Sequence, residues 1–93
     1  MAIKSFANRK LKKFFETGQR GKISPNHARK LNLILDHLDA ANEIRDMNFP
    51  GSDLHKLKGK LKEFYSIHVS GNWVVIFRFK NGAVYDIDYL DYH

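Results

Sequence analysis

Residues 64–89 read Phe-Tyr-Ser-Ile-His-Val-Ser-Gly-Asn-Trp-Val-Val-Ile-Phe-Arg-Phe-Lys-Asn-Gly-Ala-Val-Tyr-Asp-Ile-Asp-Tyr, and the fold is decided by how this stretch is punctuated. Phe64–Val69, Trp73–Lys80 and Ala83–Tyr89 are rich in β-branched and aromatic residues, which suit a pleated, half-buried surface. Ser70-Gly71-Asn72 fits a three-residue hairpin, and Asn81-Gly82 is the preferred pair for a two-residue type I′ turn, so an antiparallel meander is predicted. In the middle strand Trp73, Val75, Phe77 and Phe79 share one face while Val74, Ile76, Arg78 and Lys80 share the other. Both faces are partly apolar, as expected of a central strand with helices on one side and the curl of its own sheet, or a partner, on the other. Leu54–Lys58 is a shorter fourth candidate.

Outward from the meander, toward the N-terminus, the period changes. Asn48-Phe49-Pro50-Gly51 is a breaker cluster that closes a helical half. Ser24-Pro25 starts the firmest helix, with an apolar stripe of Ala28, Leu31, Ile34, Leu35, Leu38 and Ala41, and His27 and His37 are expected on its surface, outside any site. An earlier helix runs from an Asn8 cap to about Thr17, where Gly18 ends it; Leu11, Phe14 and Phe15 face inward, and Arg9, Lys10, Lys12 and Lys13 face water. Ile3–Phe6 is long enough only for an edge strand. The expected architecture is α+β: two N-terminal helices packed on a curved, mainly antiparallel sheet in the order β-α-α-β-β-β-β.

Ninety-three residues fit a single domain, 1–93. Hydrophobic residues make up 43% and aromatics 13%, which excludes a disordered solvating tail. The absence of Cys excludes disulfides and thiolate metal sites, and the longest apolar run, Trp73–Phe77, is far short of the roughly 20 residues that span a bilayer. No membrane association and a cytoplasmic location are therefore expected. Sixteen Lys and Arg against ten Asp and Glu give +6, which favours a polyanionic partner such as nucleic acid.

Most catalytic classes lack their markers. The histidines (27, 37, 55, 68, 93) form no i, i+4 pair and no HExxH frame, so no metal site is expected. There is no phosphate-cradling glycine loop and no serine elbow, and no cofactor is expected. Two polar stretches remain. Lys56, Lys58, Lys60 and Lys62 alternate, so an extended chain would align all four ammonium groups along one face, either to track phosphates or to keep a sheet edge soluble. At the other end Asp91-Tyr92-His93 places an acid, a phenol and an imidazole together, where the carboxylate would favour the imidazolium and the phenol could stack on a base.

Ile3-Lys4-Ser5-Phe6, Leu54-His55-Lys56-Leu57-Lys58-Gly59, Phe64-Tyr65-Ser66-Ile67, Asn72-Trp73 with Ile76-Phe77, and the final Asp91-Tyr92-His93, in that order over the full length, resemble the HigB-type killer-protein toxins of the RelE/ParE superfamily. The resemblance implies a RelE-like fold and a ribosome-dependent endoribonuclease that cuts messenger RNA in the ribosomal A site by metal-free acid–base chemistry. It also implies a cognate helix-turn-helix antitoxin. Residue by residue, it implies that His55 and His93 exchange protons, Lys58 steadies the scissile phosphate, Asp91 orients His93, and Tyr92 places the nucleotide. Lys56, Lys60, Lys62 and Arg78 are the expected RNA-contacting cations. Same-fold alternatives are a toxin that poisons DNA gyrase by binding and a non-catalytic RNA-binding module.

Two features depart from a simple carry-over. Relatives usually carry an arginine straight after the Asn-Trp pair, where this chain has Val74, and Arg78 is four residues on, roughly 13 Å at strand rise, so reduced activity is expected. A regular strand would also send His55 and Lys58 to opposite faces, so Gly59 or a bulge is expected to redirect one of them.

Overall fold

The computed structural model describes residues 2–21 and 23–92. Helix α1 spans Arg9–Thr17 and α2 spans Pro25–Ala40; β1 is His55–Lys56, β2 Phe64–Ser70, β3 Trp73–Lys80 and β4 Ala83–Asp91, with 3₁₀ turns at Ile44–Met47 and Gly59–Leu61. The strands form one antiparallel sheet in the order β1-β2-β3-β4, the predicted α+β arrangement.

Local chemistry sets the helix ends. The Asn8 side chain accepts the Leu11 N–H at 3.0 Å, and Gly18, at φ 74°, donates its own N–H to the Phe14 carbonyl. Ser24 stands at the cap of α2 with Pro25 in the first turn, but its side chain makes no capping bond among the described residues; its carbonyl instead accepts from His27 and Ala28. Leu31, Ile34, Leu35 and Leu38 of α2 pack with Leu11 and Phe14 of α1 against Ile67, Val75, Phe77, Val84 and Ile87 of the sheet. Burying a side chain of this size stabilises the fold by about 1.5–3 kcal/mol relative to leaving it exposed.

The meander differs from its prediction in two places, the turn before β3 and the middle of β4. Ser70 already belongs to β2, so Gly71 and Asn72 alone form the turn, helped by Gly71 at φ 57° and a bulge between His68 and Ser70. Asn81 and Gly82 have φ 52° and 76°, as a type I′ turn requires. A second bulge lies between Ile76 and Arg78, where Asp86 of β4 takes φ 54°. That left-handed backbone is held by the Ser5 hydroxyl, which accepts the Asp86 N–H at 2.9 Å and donates to its carboxylate at 3.4 Å. Ile3–Phe6 is not a ladder strand; it touches β4 through two isolated parallel bridges, Ile3 to Val84 and Phe6 to Ile87.

The expected surface position of His27 is corrected. This ring is 9% exposed, stands 5.7 Å from Trp73 and edge-on to Tyr89, and shares a hydrogen bond between its Nδ1 and the Tyr89 hydroxyl. Its position explains the burial: His27 lies four residues before Leu31, so the apolar stripe of α2 reaches back through it. His37 is half-buried and stacks on Phe49 at 4.1 Å, which pins the breaker segment against α2.

Candidate active site

Strand register defines the face that the helices leave open. Residues paired across an antiparallel ladder point the same way, so His55, Ser66, Ile76 and Asp88 form one row on that face. The next row toward the Gly71-Asn72 turn is His68, Val74 and Leu90, and the row on the other side is Phe64, Arg78 and Tyr85. Ile67, Val75 and Tyr89, one residue out of phase, face the helices with the core.

His55 is largely exposed, and its Nδ1 lies 2.9 Å from the Asp53 carbonyl. A carbonyl only accepts, so Nδ1 carries the proton and Nε2 is left with the lone pair that a general base needs. The Asp53 carboxylate is 3.5 Å from the same nitrogen. Asp53 itself takes φ 48°, a left-handed turn that Asp tolerates better than most residues and that swings its carbonyl under the imidazole.

The expected row of four lysines is not formed. Strand pairing ends as the Leu57 N–H reaches the Phe64 carbonyl, and Gly59, at φ 69°, turns the chain into the 3₁₀ turn that holds Lys60. A 3₁₀ turn has three residues per turn, so it cannot continue the two-residue alternation of a strand. Lys56 lies over the Tyr65 ring at 4.7 Å, on the face opposite His55, while Lys58, Lys60 and Lys62 are exposed around the turn. Lys58 stands outside the ladder, so strict alternation does not oppose it to His55. Arg78 is on the open face as expected, but its Nε donates to the Asp86 carboxylate at 2.8 Å, and its guanidinium stands 5.8 Å from the Tyr85 ring.

At the far edge, Asp91 stands opposite Trp73 in the ladder, and the Tyr92 N–H donates to the Asn72 carbonyl at 2.7 Å. Both residues are exposed. Asn72-Trp73 and Asp91-Tyr92 are thus one hydrogen-bonded unit, beside which the rings of Trp73, Tyr89 and His27 pack tilted and edge-on. His93 lies outside the described residues. The site is spread over the sheet: β1 and β4 are three strand spacings apart, about 14 Å. His68 and Asp91 lie toward the Gly71-Asn72 end, Arg78 lies toward the other and His55 stands in the row between them, while Asp91, paired with Trp73, shares the helix-facing side of the sheet rather than the face of the two histidines. The sequence alone did not single out Asp53 or His68; a histidine in phase with Ser66 on a strand was the available signal for the second.

The sequence model of a family described as RelE-like toxins of type II toxin–antitoxin systems, HigB, matches residues 4–93. The chain is 38% identical over 91 residues to a Proteus vulgaris protein named Endoribonuclease HigB, covering 98% of this chain and 99% of the relative. It is 32% identical over 90 residues to Toxin HigB-1 of Vibrio cholerae, covering 95% and 94%, and 33% identical over 85 residues to an uncharacterized protein of Haemophilus influenzae, covering 89% and 83%. With a match across nearly its whole length, and with the helix pair and the four-stranded antiparallel sheet in place, the chain belongs to the HigB-like family of type II toxins.

Proposed function

We propose that this toxin is an endoribonuclease, that residues 1–93 act as one unit, and that its substrate is messenger RNA in the A site of a translating ribosome. The observation that carries the reading is the exposed His55, whose Nδ1 is held by the Asp53 carbonyl so that Nε2 keeps its lone pair, in a chain that matches Endoribonuclease HigB of Proteus vulgaris over 98% of its length. In the proposed reaction the ribose 2′-oxygen bonds to phosphorus as the bond from phosphorus to the 5′-oxygen breaks. One of His55 and His93 takes the 2′-hydroxyl proton and the other protonates the leaving 5′-oxygen, giving a cyclic phosphate and a free 5′-hydroxyl. Lys58 steadies the phosphate, Asp91 orients His93, and Tyr92 places the nucleotide. Lys56, Lys60, Lys62 and Arg78 hold the RNA and ribosomal backbone by charge. A cognate helix-turn-helix antitoxin silences the toxin, and the pair operates in the cytoplasm without a metal or cofactor.

The test uses purified full-length chain, ribosomes programmed with a defined message, and 5′-end mapping. Wild type is expected to cut within the A-site codon, and His55→Gln and His93→Gln to lose about 10²- to 10⁴-fold in rate while remaining folded. Cleavage of free and ribosome-bound message at equal rates overturns the ribosome dependence. Intact messages, with DNA damage in induced cells, favour the gyrase-binding alternative.

A further inference from the structure

His68 belongs to no role described so far, yet the register places it on the open face, on an inner strand and in the row beside that of His55. It is paired with Val74, and its backbone N–H is directed away from β3 to the Ser52 carbonyl at 2.9 Å. The His68–Val74 pair is therefore the close, non-hydrogen-bonded kind, with Cα atoms about 4.5 Å apart. His55 is opposite Ser66, two residues before His68, so the two histidines are diagonal neighbours on one face, about 7–8 Å apart at Cα. The His68 Nε2 is 3.0 Å from the Gly71 carbonyl, which only accepts; Nε2 thus carries a proton, and Nδ1 is the remaining nitrogen. When the ring is protonated, Nδ1 becomes a donor with a full positive charge.

We propose that His68 is a further catalytic residue: as an imidazolium it donates Nδ1–H to a non-bridging oxygen of the phosphate whose ribose His55 serves. This rests on the ribonuclease reading and deepens it. Charge builds on the phosphate as the 2′-oxygen adds, and a donor whose ring is already held by the Gly71 carbonyl lowers the barrier with little reorganisation. Val74 offers neither charge nor hydrogen bond at the position directly across, so the imidazolium beside it is the cation that this row supplies. Among the described residues, register brings a small set of charged and titratable groups to the side of His68. Asp53 and His55 come from the β1 side and Asp88 lies across Ile76 on β4, while β3 presents Val74, with Arg78 two rows away and engaged with Asp86.

The experiment compares wild type, His68→Gln, Val74→Arg and the double variant on ribosome-bound message across pH, with thermal unfolding measured alongside. Glutamine keeps an N–H for the Gly71 carbonyl but cannot carry charge, so His68→Gln is expected to stay folded and lose about 10²-fold in rate. Val74→Arg is expected to restore at least tenfold of that loss. Because guanidinium stays charged throughout, the Val74→Arg chains, with or without His68, should hold their activity to higher pH than wild type does. A wild type that cleaves, with His68→Gln equally fast or with a loss that Val74→Arg does not relieve, overturns the role of His68 and leaves the ribonuclease reading standing. A wild type that leaves the message intact overturns the ribonuclease reading itself, and the proposal with it. Should His68→Gln unfold, Val74→Arg alone decides, since a pH profile unchanged from wild type refutes a cationic His68.

Discussion

Tyr92 donates its backbone N–H to the Asn72 carbonyl at 2.7 Å, and through this bond the turn before β3 fixes the end of β4. Asp91 is set in the same way, by its ladder partner Trp73, whose ring lies 4.8 Å from Tyr89 and 5.7 Å from His27. A frayed end would leave the acid and phenol without a defined position; here the ladder pair and the bond to Asn72, backed by the tilted rings of Trp73, Tyr89 and His27, define it.

Trp73→Ala tests that dependence. The ring is half-buried, so its removal is expected to cost about 2 kcal/mol in urea-unfolding experiments, below the range for a fully buried aromatic. At temperatures where the variant is still folded, its cleavage rate is expected to fall at least tenfold more than its affinity for ribosomes. Equal losses in the two would assign Trp73 to binding alone.

Asp53 is expected to matter through position. Asp53→Pro cannot adopt φ 48°, so it withdraws the carbonyl from His55 and should lower cleavage about as far as His55→Gln. Asp53→Asn keeps the turn and carbonyl but removes the carboxylate 3.5 Å from Nδ1, and a loss of less than tenfold is expected. Single-turnover cleavage of the two variants side by side separates the carbonyl's contribution from that of the carboxylate.

Arg78, Asp86 and Ser5 form one network around the bulge of β4. Arg78→Ala and Ser5→Ala are each expected to destabilise the fold by about 1 kcal/mol, since the Arg78–Asp86 pair is partly solvent-screened. The double variant should lose less than the sum, because both supports act on the same strained residue. Chemical denaturation of the four chains measures the coupling. If Arg78 also touches phosphate, its variant should lower the salt dependence of ribosome binding by about one ion.

Burial pushes the Tyr89 hydroxyl above its ordinary pKa of 10.0. The unfolded chain then ionises first as pH rises, so this contribution to stability is fully present below pH 10 and is lost as pH climbs through the folded-state value. Tyr89→Phe is expected to flatten that alkaline decline and to cost about 1 kcal/mol at neutral pH through loss of the bond to His27. Thermal melts between pH 7 and 11 show both effects.

The apolar pattern by itself determined most of the architecture. The Ser24-Pro25 start, the stripe from Leu31 to Leu38 and the Asn81-Gly82 turn each encode a local geometry with few alternatives, and the α+β order follows from their sequence along the chain. Two-residue alternation failed at Gly59, where a left-handed backbone ends the extension on which the lysine row depended. Which histidines matter was not legible either, because an imidazole is compatible with core, surface and site alike. Only tertiary packing buried His27 under Trp73 and Tyr89, and only strand register set His68 diagonally from His55 and across from Val74. Periodicity is a property of neighbours along the chain, whereas register is fixed by bulges and turns acting between strands. The face that carries the chemistry is therefore written in contacts between residues far apart in the sequence.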